Sequence, residues 1–144
     1  MDASSTSAKL PCLYEWHTVL VVDDEPAALR AVARSLHREP YDLVVVDDPR
    51  AVLGVLQQKD VSLVVADRRM PGMEGDRLLQ EVWRWSPTTV GVILSGWPAE
   101  DAPEDVDFRL RSVLRKPWDD QDLKRTIRTL LSERERDVAR RGRR

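Results

Sequence analysis

Val61-Ser-Leu-Val-Val-Ala-Asp67-Arg-Arg-Met-Pro-Gly-Met-Glu-Gly75 carries the strongest structural signal in this 144-residue chain. Its apolar run, residues 63–65, is typical of a strand buried on both faces of a parallel sheet. Asp67 ends that strand, and a Met-Pro-Gly turn and an amphipathic helix follow it. Because ligands of open α/β sheets bind outside the carboxyl ends of the strands, Asp67 is the first candidate functional residue.

Four other apolar runs of strand length surround this segment. We predict strands at residues 17–22, 41–46, 61–66, 89–94 and 110–115. Helical patterns follow at residues 26–39, after Pro49 (with Val52, Leu53, Val55 and Leu56 inward), at about 74–85 (with Trp83 or Trp85 inward) and from Asp119 or Asp120; residues 99–108 hold at most a short helix. Strands that alternate with helices predict an α/β fold, a doubly wound parallel sheet of five strands in a three-layer (βα)5 sandwich.

Length and composition indicate one domain. We assign residues 17–132 to it, residues 1–16 to a flexible N-terminal extension and residues 133–144 to a charged, Arg-rich tail. The tail is expected to be a solvated, disordered end, with binding of an acidic partner as the alternative. The net charge of −2 gives no basis for general nucleic-acid binding, and the single cysteine, Cys12, excludes an internal disulfide. Without a signal peptide or an apolar run of membrane-spanning length, we expect a cytoplasmic protein.

Polar residues follow all five predicted strands, and at four of them they are candidates for a functional site. Asp23 and Asp24 follow the first strand, Asp67 the third, Ser95 the fourth and Lys116 the fifth. Each alone is typical of a helix start, a turn or a strand exit. The second strand ends in a similar Asp-Asp-Pro at residues 47–49, to which we give no functional role. In a parallel sheet, however, all these strand ends share one edge.

Together these residues indicate a metal-assisted reaction of an anion. Carboxylates about 4 Å apart repel each other by roughly 1 to 4 kcal/mol per pair, and a divalent cation relieves that repulsion. Mg²⁺, or Mn²⁺, suits an all-oxygen site completed by water and a phosphate. Asp67 is then a candidate nucleophile that forms an aspartyl-phosphate. Lys116 offers a positive charge to one phosphoryl oxygen, and the Ser95 hydroxyl can donate to another.

At this point the chain resembles the receiver domain of two-component response regulators. The resemblance covers residues 17–132 and is carried by Asp23-Asp24-Glu25, the segment from Asp67 to Gly75, Ser95-Gly96 and Lys116-Pro117-Trp118. The Lys-Pro-Trp-Asp-Asp sequence at residues 116–120 is similar to that of receivers attached to HD-GYP phosphodiesterases.

The resemblance implies a flavodoxin-like (CheY-like) strand order and a role for each matching residue. Asp67 would accept a phosphoryl group from a histidine kinase or a phosphotransfer protein. Asp23, Asp24, Asp67 and the backbone carbonyl of Arg69 would bind Mg²⁺. Ser95 would be the switch hydroxyl, Lys116 would contact the phosphate, and the bond from Lys116 to Pro117 would be cis.

The chain departs from the family pattern at Val113, where the family has an aromatic residue. Either coupling is weaker here, or another ring such as Phe108 or Trp118 takes part. We expect four residues to modulate the site: Arg68, Trp97, Val113 and Pro117. Arg69 and Trp97 are expected to hinder attack by water and so prolong the life of a phosphoryl-aspartate.

The expected function is that of a stand-alone receiver that signals to a downstream target through a change in its surface. No direct contact with nucleic acid or membrane is expected, and a phosphorylation-dependent homodimer stays open. The only catalysis expected is self-catalysed phosphoryl transfer and autodephosphorylation. The alternatives are a pseudo-receiver that acts as a protein-binding scaffold and a phosphohydrolase of the haloacid dehalogenase type. The latter class needs an acid where this chain has Arg69.

Overall fold

A computed structural model of the chain describes residues 16–96 and 110–142. Within these ranges the five strands are β1 (Thr18–Val22), β2 (Asp42–Val46), β3 (Leu63–Asp67), β4 (Val90–Ser95) and β5 (Leu110–Arg115). The helices are α1 (Pro26–Leu36), α2 (Val52–Gln58, preceded by a 3-10 turn at Pro49–Ala51), α3 (Gly75–Trp85) and α4 (Asp120–Gly142). Residues 1–15 of the predicted N-terminal extension (1–16) and the weak segment at residues 99–108 lie outside the described residues.

The strands form one parallel sheet in the order β2-β1-β3-β4-β5. This order confirms the predicted doubly wound, flavodoxin-like fold. β3 occupies the centre, and its residues Leu63 to Ala66 are fully buried. This position explains the continuous apolar run in the sequence, because a central parallel strand is covered on both faces.

Two hydrophobic clusters cover the two faces of the sheet. Val65 and its neighbours pack against α1 and α4, while Val64 and its neighbours pack against α2 and α3. Successive residues of a strand point to opposite faces, so β1 to β4 each contribute to both clusters, whereas β5 contributes Leu114 to the first. The three layers of the sandwich follow directly from this alternation.

Helix starts follow the local chemistry of the sequence. α1 begins at Pro26, whose fixed backbone angle suits the first helical position. At α4, Asp119 Oδ1 accepts hydrogen bonds from the backbone N–H groups of Gln121 (2.9 Å) and Asp122 (3.1 Å). The Lys116–Pro117 bond between β5 and α4 is cis, as the resemblance implies.

The inward faces of α2 and α3 differ from the prediction at Leu53 and decide between Trp83 and Trp85. Leu53, expected inward, is 38% exposed, whereas Val52 is buried. α2 has only seven residues, and Val55 and Leu56 at the i+3 and i+4 positions from Val52 pack on the core instead. In α3 the inward tryptophan is Trp83, and Trp85 is 56% exposed.

The Arg-rich tail is helical, so the expectation of a disordered end is wrong for residues 133–142. Arg134 donates from Nε to the carbonyl oxygen of Thr88 (3.0 Å) and from Nη2 to Thr88 Oγ1 (3.2 Å). Glu135 lies 3.4 Å from the ring of His17. Two side chains thus fasten the continuation of α4 to the domain, and good helix formers carry the helix onward.

Candidate functional site

The carboxyl edge of the sheet, where the parallel strands end, gathers the predicted site residues. Asp67 is the last residue of β3 and pairs in register with Leu94 of β4. Ser95 is the last residue of β4 and pairs with Arg115, which directly precedes Lys116. Asp23 directly follows β1, which is paired to β3. The topology therefore places Asp23, Asp67, Ser95 and Lys116 side by side.

Three carboxylates converge at this edge. Asp23, Asp24 and Asp67 each offer an oxygen atom, and these atoms lie within 4.8 Å of one another. Asp23 is almost fully buried, and its Oδ1 accepts a hydrogen bond from the backbone N–H of Glu25 (3.0 Å). Burial raises the pKa of Asp23 above its usual value, an effect that outweighs the backbone hydrogen bond and the nearby lysine. A cation at this position would stabilise the charged form of Asp23.

Lys116 is the positive charge that faces the cluster. Its Nζ lies 2.9 Å from Asp67 Oδ1 and 3.4 Å from Asp23 Oδ2. Burial by itself would lower the pKa of Lys116, but its hydrogen bond to Asp67 and the charges of both aspartates raise it above the usual value. The lysine is therefore charged at neutral pH. With three carboxylates against one ammonium, the four groups leave a net charge of −2 to be neutralised by a ligand.

The turn after Asp67 is held by backbone contacts. The N–H of Arg68 donates to the carbonyl oxygen of Leu94 (3.0 Å), and the N–H of Gly75 donates to the carbonyl oxygen of Arg68 (2.8 Å). A side chain at Gly75 would collide with the carbonyl oxygen of Asp67. Gly72 has a φ of 85°, in the left-handed region that favours glycine. Steric constraints therefore favour glycine at both positions of the turn.

Ser95 and Val113 differ sharply in burial. Ser95 is 1% exposed at the site, and its carbonyl oxygen accepts a hydrogen bond from the backbone N–H of Lys116 (2.8 Å). Val113 on β5 is 42% exposed. Arg69 is exposed, and Trp97 lies outside the described residues.

Arg68 has a partner that the sequence analysis missed. Its side chain is almost fully buried, with Nε 3.6 Å from Asp76 Oδ2 on the first turn of α3. Among residues 16–96 and 110–142, two of its guanidinium nitrogens, Nε and Nη2, have no hydrogen-bond partner. The only signal in the sequence was an acid eight residues after an arginine that directly follows a buried strand, and this pattern is too common to single out.

The donor set fits a hard divalent cation. All the candidate ligands are oxygen atoms, the type that Mg²⁺ and Mn²⁺ prefer. In an octahedral Mg²⁺ site, ligand oxygens lie up to about 4.2 Å apart, so small side-chain adjustments would bring these carboxylates onto one ion. The site can thus hold a cation beside a carboxylate nucleophile and a fixed ammonium. This combination of groups suits phosphoryl transfer, which depends on positioning and neutralisation of charge.

Comparison with protein-family models places this arrangement in a known class. Residues 19–128 match the model of the response regulator receiver domain. The chain belongs to this family, which is a signalling domain of two-component systems, and the resemblance noted in the sequence is confirmed.

Curated relatives include regulators from several bacteria. The chain is 34% identical over 113 residues to the hydrogenase transcriptional regulatory protein HoxA of Cupriavidus necator, covering 77% of this chain and 23% of HoxA. It is 31% identical over 116 residues to the transcriptional regulatory protein GlrR of Escherichia coli, covering 80% of this chain and 26% of GlrR. The chain thus spans about a quarter of the length of these relatives.

Solved structures of similar fold include a signal receiver domain of an HD domain-containing protein from Pseudomonas fluorescens. It is 26% identical with a TM-score of 0.80, and the match covers 92% of this chain and 98% of that one. A structure described as adenylate cyclase from Rhodopirellula baltica is also 26% identical, with a TM-score of 0.79 and coverage of 90% and 96%. Among the described residues, no helix has the length and apolar character needed to cross a bilayer.

Proposed function

We propose that Asp67 accepts a phosphoryl group from a histidine kinase or a phosphotransfer protein in a Mg²⁺-dependent reaction. The observation that carries this proposal is the contact of Lys116 Nζ with Asp67 Oδ1 at 2.9 Å, beside two further carboxylates. A nucleophile, a fixed cation and a candidate metal site then meet at one point. Membership of the receiver family, in which an aspartate cluster typically binds Mg²⁺, supports the same chemistry.

Each residue has a distinct role in the proposed reaction. A carboxylate oxygen of Asp67 attacks phosphorus, and the bond from phosphorus to the donor breaks with its electron pair leaving on the donor. Lys116, charged at neutral pH, binds a phosphoryl oxygen, and the Ser95 hydroxyl donates to another. Asp23, Asp24 and the carbonyl of Arg69 would hold the metal together with Asp67. When bound, the metal supplies neutralisation of the developing phosphoryl charge.

The buried position of Asp23 supports its role as a ligand rather than a nucleophile. Its Oδ1 is held by the N–H of Glu25, and its Oδ2 faces Lys116. Asp67 is less buried, with 14% of its side chain exposed at the rim of the site. A phosphoryl donor can reach Asp67, whereas Asp23 is enclosed.

Several relatives indicate the kind of partner. RcsC of Escherichia coli, a sensor histidine kinase, is 32% identical over 120 residues, and HoxA and GlrR are transcriptional regulatory proteins. We infer that this chain receives its phosphoryl group from a kinase or relay protein and presents the phosphorylated surface to a downstream target. One candidate for the downstream target is an HD-type module, because the similar Pseudomonas fluorescens structure is the receiver domain of an HD domain-containing protein.

The test is intact mass after incubation with acetyl phosphate and Mg²⁺. We expect the wild type to gain one phosphoryl group, and the gain to disappear in EDTA and in Asp67→Asn. Asp47→Asn is the matched control, because Asp47 also follows a strand of the sheet but lies at the end of β2, outside the cluster. Equal phosphorylation of Asp67→Asn would show that Asp67 is not the acceptor.

Beryllofluoride, which imitates a phosphoryl group, separates a competent receiver from a scaffold. A competent site binds it in the presence of Mg²⁺ and gives a fluorine resonance of the bound form. A wild type that neither gains mass nor shows this resonance is a pseudo-receiver, and the proposed function is then wrong.

A further inference from the structure

Trp118 lies two residues beyond Lys116 and connects the site to another face of the domain. Lys116 Nζ contacts both Asp67 and Asp23, whereas the Trp118 ring packs against the hydrophobic cluster beneath α1 and α4. Its Nε1 donates to Ser35 Oγ near the end of α1, at 3.4 Å. The segment from Lys116 to Trp118 therefore has one end in the site and the other against the core.

Ser35 lies within hydrogen-bond distance of acceptors on two different helices. It is 8% exposed, and its hydroxyl lies 2.6 Å from Asp120 Oδ1 on α4 and 3.1 Å from the carbonyl oxygen of Ala31 on α1. A hydroxyl has one proton, so Ser35 can donate to only one of these acceptors at a time. Donation to Asp120 ties α1 to the first residue of α4, and donation to Ala31 releases that tie. The long hydrogen bond from Trp118 bears on this choice, because it occupies a lone pair of the same hydroxyl.

We propose that the phosphorylation state of Asp67 is transmitted through Lys116 and Trp118 to Ser35, and that the surface formed by α1 and the start of α4 responds. This inference rests on the proposed function of Asp67. Phosphorylation replaces the carboxylate oxygen that Lys116 contacts by a phosphoryl oxygen farther from the backbone of β3. The backbone N–H of Lys116 is fixed on Ser95, so the side chain and the residues that follow take up the change.

The geometry favours this route over the outer side of β5. Val113 is aliphatic and 42% exposed, so it makes few contacts through which a displacement could pass. Trp118 is large, partly buried and bonded to a second element. A ring that packs against a dense core transmits a shift to it, because the side chains of the core have no free volume into which they can relax.

The experiment uses the full chain labelled with 5-fluorotryptophan. Its five tryptophan resonances are assigned by single Trp→Phe substitutions, and spectra are recorded with Mg²⁺ alone and with Mg²⁺ and beryllofluoride. We expect the Trp118 resonance to move when beryllofluoride binds. Trp83, whose Nε1 donates to the carbonyl oxygen of Thr89 at the opposite edge, should stay in place.

Amide hydrogen exchange measures the response of the surface formed by α1 and the start of α4. We expect beryllofluoride to change exchange in α1 and the first turns of α4 by about 5-fold or more, the lower end of typical allosteric coupling. Ser35→Ala should bind beryllofluoride and lose this change. Ser62→Ala is the matched control: Ser62 is also buried and hydrogen-bonded, but to His17 at the far edge, and it should respond like the wild type. Trp118→Phe, which keeps a ring and removes the donor, gives a second test of the same route.

Two results would overturn the inference while the proposed function stands. In the first, bound beryllofluoride is visible by its own fluorine resonance and the Trp118 resonance does not move. In the second, Ser35→Ala and Trp118→Phe show the wild-type change in α1 exchange. Absence of both the bound beryllofluoride resonance and the mass gain in the wild type contradicts the proposed function itself, so the two failures are distinguishable.

Discussion

The amino edge of the sheet, where the strands begin, buries polar side chains as the carboxyl edge does, but with different partners. At the amino edge His17 Nδ1 bonds Ser62 Oγ (2.7 Å), Thr89 Oγ1 donates to the carbonyl oxygen of Val61 (2.8 Å), and Trp83 donates to Thr89 (2.9 Å). At the carboxyl edge three carboxylates face one ammonium.

The difference separates a structural network from a site. Hydrogen bonds such as those of His17 with Ser62 and of Thr89 with Val61 contribute modestly to stability and satisfy polar groups that would otherwise be buried without partners. An excess of like charge lowers stability, and it persists in a fold when a ligand or a reaction uses it. The two edges of one sheet thus show which polar cluster needs a function to explain it.

Replacement of Lys116 should have the largest effect. Lys116→Met leaves Asp23 and Asp67 without their cation and removes the charge that binds the phosphoryl group. We expect the rate of phosphorylation by acetyl phosphate to fall by about 100-fold, as for loss of one charge-stabilising group in an active site. Time-resolved intact mass measures this rate. Lys124→Met on α4, outside the cluster, should phosphorylate at the wild-type rate, and equal rates for the two variants would contradict the role of Lys116.

Gly75→Ala should disturb the carboxyl edge through the backbone. The added methyl group collides with the carbonyl oxygen of Asp67, so α3 must move away from β3. Such overpacking destabilises by about 1–3 kcal/mol, measured by urea unfolding. Gly54→Ala on α2 is the control: nothing lies within 4 Å of its added Cβ, and alanine should stabilise that helix by up to about 1 kcal/mol. A Gly75→Ala variant as stable as the wild type would show that the turn adjusts freely.

The sequence predicts the carboxyl edge better than the amino edge. Four strand ends carry their polar residues in the sequence itself, and a parallel sheet must bring Asp23, Asp67, Ser95 and Lys116 to one side. The contact of Arg134 with Thr88 joins residues 46 positions apart through a helix that looked like a tail. No local pattern fixes how far a charged helix continues or which loop it meets. The pairing of Arg68 with Asp76 was missed because burial of an arginine depends on the packing of α3.

Removal of one acid from the carboxyl edge should stabilise the protein, unlike the two substitutions above. Asp24→Asn relieves repulsion in the cluster, and we expect it to stabilise the metal-free protein by about 1 kcal/mol in urea unfolding. The same change should weaken Mg²⁺ binding, followed by tryptophan fluorescence. Asp47→Asn, which changes an exposed acid after β2, should alter neither quantity. If Asp24→Asn destabilises the metal-free protein, the cluster is a structural network after all.

The smallest expected effect is a pH dependence at the amino edge. Burial lowers the pKa of His17 below 6.5, with Arg134 acting in the same direction and Glu135 and Asp60 opposing it. Below about pH 6.5 the unfolded chain therefore binds a proton that the folded chain binds less readily, and the free energy of unfolding falls as the pH decreases. Urea unfolding of wild type and His17→Gln between about pH 5 and 8 isolates this contribution. Identical pH profiles for the two proteins would contradict it.

Helix α4 touches both edges, and this limits how it can move. Its 23 residues make a rod of roughly 34 Å. Asp120 is bonded to Ser35 at one end, and Arg134 is bonded to Thr88 further along. A rod that is held at two points and buries Leu123, Ile127 and Leu131 in the core can neither swing nor turn about its own axis. Residues 136–142 extend beyond the second contact by about two helical turns, so their position follows that of the packed part of the helix.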